Sequence, residues 1–161
     1  MKELLLKKQK GTTVIEFTIV ASLFFLLIFA IIEFGRLLFT WHVLNETSRR
    51  VARLASVCQV TETERADTLL AGIVGNVTLP NFAAENIQVR YLDEFGSEVP
   101  TPLTTTSNFV QIEFVEASII NYQIDLTIPF ATFGLNFTAP QFTTLLPRES
   151  LGVTRTGFTD C

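Results

Sequence analysis

Sixteen consecutive residues without a charge, Phe17 to Ile32 (FTIVASLFFLLIFAII), constrain this chain more than any other feature. As helix they cover roughly 24 Å at about 1.5 Å per residue. A surface helix of a soluble domain keeps a polar stripe, whereas the run Leu23-Phe24-Phe25-Leu26-Leu27-Ile28-Phe29 is apolar on every face, which leaves a membrane span or, as the lesser alternative, a buried core helix. Beyond Glu33 and Arg36 the apolar residues resume with Leu37, Leu38, Phe39, Trp41, Val43 and Leu44, so one continuous helix can exceed the ~30 Å of bilayer hydrocarbon. The expectation is a single membrane-crossing helix that continues outward. Hydrophobic residues make up 48% of the 161 and charged ones 17%, which excludes a disordered chain and a basic nucleic-acid coat.

Charge divides the chain at the same place. Residues 1–57 carry eight bases and four acids, and residues 58–161 carry four bases and twelve acids. Lys2, Lys7, Lys8 and Lys10 precede the apolar run as a basic leader would, but no small-x-small cleavage site follows it, because Ile28 stands two before Ala30. The anchor is therefore expected to stay attached. The lysines favour a cytoplasmic N-terminus, and Arg36, Arg49, Arg50 and Arg53 beyond the helix weaken that bias. Trp41 and His42 are of the kind found where lipid meets water.

Glu16, at the start of the run, is the residue that simple anchoring does not explain. An ionisable group at or inside the membrane costs up to ~2–3 kcal/mol on insertion scales and signals a specific partner. A carboxylate near a helix N-terminus is also favoured by the macrodipole, and on chemistry alone the two readings stand level.

The string Lys10-Gly11-Thr12-Thr13-Val14-Ile15-Glu16-Phe17, a glycine, four residues, a glutamate and an aromatic after a lysine leader, resembles the processing site of prepilins of tight-adherence (Flp, Tad) pili. Together with Ile31-Ile32-Glu33-Phe34-Gly35-Arg36-Leu37-Leu38 it is similar to the TadE-like pseudopilin family over about residues 10–55. The resemblance implies cleavage after Gly11 by an aspartic prepilin peptidase, with Thr12 as the new N-terminus. Glu16, followed by Phe17, would then be five residues into the mature chain and could neutralise the N-terminal amine of a neighbouring subunit. Removing residues 1–11 takes away four lysines and one glutamate, leaving a mature chain of about −7. Family members often carry a proline soon after the glutamate, where Ala21-Ser22 stand in this sequence. The other implied partners are further pilins, pilus-assembly proteins and membrane lipid, without nucleic acid.

Glu33 and Arg36 stand at i,i+3 and can pair along one helix face, or else meet another assembly protein where Gly35 allows close approach. Leu44, Val51, Leu54, Ala55 and Cys58 form an apolar stripe at helical spacing, and Glu46 can pair with Arg49 or Arg50. Thr61–Gly75 reads as a second, shorter helix. Past Pro80 the period becomes two, so strands are expected at Ile87/Val89/Tyr91, at Val110/Ile112/Phe114 and along Ile120 to Ile128, with antiparallel pairing. Asp93–Asn108 reads as an exposed loop, Phe130–Leu146 as an irregular aromatic-pinned segment, and Leu151 with Val153 as a last short strand.

The expected architecture is α+β: a leader over 1–11, a transmembrane and stalk helix over 12–57, and a periplasmic domain with an antiparallel sheet over 58–161. In an oxidising compartment the even pair Cys58 and Cys161 suggests a disulfide. One histidine and two cysteines assemble neither a Ser-His-Asp set nor a zinc site, and no phosphate-binding glycine loop is present, so no enzyme, cofactor or metal is expected. Two readings remain: a minor pilin or pseudopilin of the bacterial inner membrane, taking part in pilus assembly and surface adhesion, or a permanent single-pass anchor with a ligand-binding or regulatory outer domain.

Overall fold

The structure is a computed structural model that describes residues 11–61, 69, 79–126 and 135–158. The expected leader before Gly11, nearly all of the helix expected over Thr61–Gly75, Ile128, Phe130, Phe133 and Cys161 lie outside the described residues.

One helix, α1 (Thr12–Val57), forms the long axis; its 46 residues span about 69 Å at ~1.5 Å per residue. Its two halves live in different surroundings. From Thr12 to Phe39 no residue is buried, whereas Thr40, Leu44, Thr47, Ser48, Val51, Ala52, Ala55 and Ser56 are. That second set repeats at i, i+4, i+7, i+8, the spacing of one helix face.

This face corrects the stripe expected from the sequence. Leu54 is only half-buried, and half of the covered positions carry hydroxyls. Each hydroxyl turns back to its own helix: Thr40 Oγ1 donates to the Arg36 carbonyl at 2.9 Å, Thr47 to Val43 at 2.9 Å, Ser48 to Asn45 at 2.8 Å and Ser56 to Arg53 at 2.8 Å. Burial therefore leaves no donor unmade, and the small side chains let the backbone approach the sheet closely.

The sheet has three antiparallel strands in the order β1 (Ile87–Leu92), β2 (Phe114–Ile119) and β5 (Phe142–Pro147). Register aligns Ile87 with Ile119 and Phe142, Val89 with Ala117 and Thr144, and Tyr91 with Val115 and Leu146. These nine residues share the face under α1. Ala117, fully buried at the centre, leaves room for the helix, and Thr144 donates to Ser48 Oγ at 2.9 Å because Ser48 has spent its own proton on Asn45. Leu44, Val51 and Ala52 complete one core cluster with Ile87, Ala117 and Ile119; a second joins Ala55, Tyr91, Ile112, Val115 and Leu151. Burying a Leu or Val of this size contributes about 1.5–3 kcal/mol each.

On the opposite face Arg90 and Glu116, aligned across β1 and β2, form an ion pair with Nε to Oε1 at 3.0 Å, which holds the guanidinium still more firmly protonated. Ser118 of that face is fully buried, and among the described residues its Oγ has no hydrogen-bond partner. An unmet buried hydroxyl costs about 1–3 kcal/mol, so Ser118→Ala is expected to raise the thermal midpoint by a few degrees. A calorimetric scan of the detergent-solubilised protein that showed a drop would refute this.

Three expectations for the β region change. The apolar alternation Val110/Ile112/Phe114 is not a strand: a short helix α2 (Thr106–Gln111) ends there, and β2 starts at Phe114 with Val115, Ala117 and Ile119 facing inward. Three alternating residues are too few to tell a helical turn from a strand. The strand expected along Ile120 to Ile128 is present but starts later, because Asn121 adopts φ 53° and β3 spans Gln123–Leu126, paired in a separate two-stranded sheet with β4 (Leu135–Thr138). Asparagine tolerates this left-handed conformation, so the turn is in the sequence although the alternation hides it. The segment read as irregular, Phe130–Leu146, contains β4 and most of β5, the third strand of the main sheet. Val153–Thr154 forms β6 against β7 (Gly157–Phe158), while Leu151 sits in the preceding turn.

The C-terminal segment closes the end of α1. A helix leaves its last four carbonyls without partners. Leu54 O accepts from Cys58 N–H at 2.8 Å, and Ala55 O from the Tyr91 hydroxyl at 3.5 Å. Ser56 O accepts from Glu149 and Leu151 N–H at 3.2 and 3.1 Å, and Val57 O from Gly152 N–H at 2.7 Å and Ser150 Oγ at 3.1 Å. The domain thus grips the helix at its far end and leaves the near end bare.

Candidate functional site

The bare half of α1 exposes most of the large apolar side chains that lie uncovered among the described residues. Its most apolar stretch has a mean hydropathy of 2.7 with none of it buried. Phe17 is 73% exposed and Leu23 68%, values that water does not tolerate over seven turns of helix. Thr18 Oγ1 donates to the Val14 carbonyl at 2.8 Å and Ser22 Oγ to Ile19 at 2.9 Å, so these two hydroxyls are internally satisfied, as a hydrocarbon environment requires. Glu16, exposed on the second turn, is the one ionisable side chain of the helix before Glu33.

Gly11 stands at the helix N-cap with φ −60° and ψ 10°, a conformation open to any residue, and a Cβ built on it meets nothing within 4 Å. Neither backbone nor packing demands glycine at this position. The same holds at Gly35, where an added Cβ also meets nothing within 4 Å, although an interior helical glycine costs about 1 kcal/mol relative to alanine.

At the other end of the bare stretch, Arg36 Nη2 lies 3.3 Å from Glu33 Oε2. Arg36 also donates to the backbone carbonyl of Asp125 on β3, so one arm of this pair fastens the helix to the domain. Glu33 Oε2 is buried and is in hydrogen-bonding geometry with none of the described groups. Near Arg36, Tyr122, 3% exposed, donates its hydroxyl to the Pro80 carbonyl at 2.9 Å; burial, and next the Asp125 carboxylate, push its phenol above the ordinary range, with Arg36 opposing. Sequence spacing could not reveal this meeting of Arg36, Tyr122 and Asp125, since the partners are 89 positions apart along the chain.

Trp41, read as interfacial from the sequence, is partly buried against the first core cluster, whereas His42 is exposed. Glu46 pairs with Arg50 at 3.0 Å on the solvated side. Cys58 is 2% exposed at the end of α1.

The bare helix, the acid on its second turn and the unforced glycine before it are the features to be matched. Residues 11–53 match the TadE-like protein family. No curated protein and no solved structure matches the chain. The TadE-like segment opens at Gly11, takes in the whole bare stretch with Glu16, Phe17, Glu33 and Arg36, and ends at Arg53 on the packed face. The sheet lies outside it. Over that segment the chain is similar to the TadE-like family, and the helix it covers is long and apolar enough to cross a membrane; an α+β domain of antiparallel strands stands behind it.

Proposed function

We propose that this TadE-like chain is a minor pilin or pseudopilin of a tight-adherence pilus, cut after Gly11 by a prepilin peptidase and assembled with other pilins through its bare helix. The observation that carries the reading is the glycine at position 11, which the fold does not need and a peptidase does: without a side chain it allows close backbone approach. Before assembly the chain sits in the bacterial inner membrane, N-terminus cytoplasmic and sheet domain periplasmic; its role is structural, and surface adhesion is the property of the finished pilus.

The same reading gives the cysteines their compartment. A Cys58–Cys161 disulfide is supported by the path of the C-terminal segment, which lies against the end of α1 through the Ser56 and Val57 carbonyls next to Cys58. Among the described residues no cysteine is free. The bridge would close a loop of about a hundred residues and stabilise by roughly 4–5 kcal/mol in the chain-entropy account.

One measurement tests both. The intact, non-reduced mass of the protein purified from a peptidase-proficient host is expected to match a chain that starts at Thr12, two hydrogens lighter than its reduced form. A chain that still begins at Met1 would leave the permanent anchor as the better reading.

Gly35 supports the assembly role from the other end of the span. Gly35→Ala is expected to leave the fold intact or make it slightly more stable, since the Cβ meets open space, and yet to reduce incorporation into pili by crowding a neighbouring helix. Equal piliation by mutant and wild type in a shear assay would show that no helix packs there.

A further inference from the structure

Glu16 and Arg36 are twenty residues apart, which is about 30 Å of helix, the thickness of bilayer hydrocarbon. With Glu16 at one boundary, Arg36 arrives at the other. At that height the structure holds a groove of ≈ 250 Å³ between α1 and the domain, lined by Arg36, Phe39, Thr40, Leu79, Tyr122 and Asp125 among others. On the membrane-spanning reading of α1, on which this inference rests, whatever fills the groove belongs to the headgroup layer.

We propose that the groove seats the headgroup of a phospholipid carrying a primary ammonium, the phosphoethanolamine group. Its donors and acceptors divide accordingly. Arg36 has five N–H groups; one is taken by the Asp125 carbonyl and its charge is shared with Glu33, which leaves others free to meet a phosphate. A primary ammonium brings three donors and needs acceptors. The exposed Asp125 carboxylate is one. Tyr122 Oη and Thr40 Oγ1 are two more, because each has already donated its proton, to Pro80 and Arg36 carbonyls respectively, and keeps its lone pairs. Phe39 and Leu79 offer apolar wall to the glycerol end.

Other headgroups fit less well. Choline has no N–H to give these acceptors. A glycerol headgroup has no cation for Asp125, and a serine headgroup brings a second carboxylate against it.

The test uses the full chain in nanodiscs made from equal parts of ethanolamine, choline and glycerol phospholipids. After mild detergent extraction, retained lipid is identified by mass spectrometry, and the single tryptophan, Trp41, is used as a fluorescence reporter against brominated phospholipids. Ethanolamine lipid is expected to be retained roughly fivefold over choline lipid, the ratio set by about 1 kcal/mol from an exposed charge pair. Asp125→Asn keeps the backbone bond to Arg36 and is expected to abolish the preference. Wild-type protein without the preference, or a variant that retains it, overturns the headgroup assignment. Trp41 left unquenched in every lipid would instead overturn the membrane reading beneath it.

Discussion

Gly152→Ala is expected to unfold the sheet domain, or to lower its thermal midpoint by on the order of 20 °C, while Gly96→Ala costs only a few degrees. Both glycines have nearly the same backbone, φ 77° and φ 79°, so both alanines meet the same left-handed strain of about 1–2 kcal/mol. Only their surroundings differ. A Cβ at Gly96 meets nothing within 4 Å, whereas one at Gly152 lies 2.6 Å from both the Cα and the backbone N of Gln59. Backbone cannot swing aside as a side-chain tip can, so the C-terminal loop must retreat from the end of α1. With it go the bonds from Gly152 to Val57 and from Glu149 and Leu151 to Ser56, at about 1 kcal/mol each, and the seat of the fully buried Leu151. Those losses are a large share of the 5–15 kcal/mol that hold a typical domain together. Thermal unfolding followed by near-ultraviolet circular dichroism separates the two glycines; equal shifts for both would mean that strain alone, and not the close approach, sets the cost.

What was readable in advance follows the range of the forces involved. The bare helix is legible because lipid imposes a uniform demand on every residue of Phe17–Ile32, and uniformity is visible in one dimension. The ion pairs of Glu33 with Arg36 and of Glu46 with Arg50 are legible for a similar reason, being set by helical spacing alone. The covered face of the stalk was only half legible. Thr40, Thr47, Ser48 and Ser56 look solvent-facing by hydropathy, but their hydroxyls are satisfied within the helix, and the small Ala117 beneath them rewards small residues above. A strand boundary was misplaced where a local break interrupts a smooth pattern: alternation runs from Ile120 through Leu126, yet Asn121 breaks it at φ 53° and the strand begins at Gln123. The meeting of Arg36 with Asp125 depends on how β3 is brought back to the helix, and no spacing encodes that. Glu16, by contrast, shows its oddity in the sequence, and the structure adds that it is exposed, with no group among the described residues of the domain approaching that turn of the helix.

That isolation makes Glu16→Ala the sharpest test of assembly. The side chain is exposed on the bare helix, far from the sheet, so its removal is expected to leave the fold and thermal stability unchanged. Cleavage after Gly11 is expected to continue, as the glycine and the basic leader remain. Incorporation into pili is expected to fall roughly a hundredfold, the ratio that corresponds to leaving a partner amine unpaired in hydrocarbon at ~2–3 kcal/mol on insertion scales. Glu16→Gln keeps shape and hydrogen bonding but not charge, and Glu16→Asp keeps charge with a shorter reach. If charge neutralisation drives stacking, Gln should fail nearly as completely as Ala, and Asp should retain part of the wild-type level. The readout is the amount of mature subunit in sheared pili against the amount left in the membrane. A glutamine variant that assembles as well as wild type would show that the carboxylate is there for the helix N-terminus, whose dipole favours an acid, and that the contact between subunits is made by shape alone.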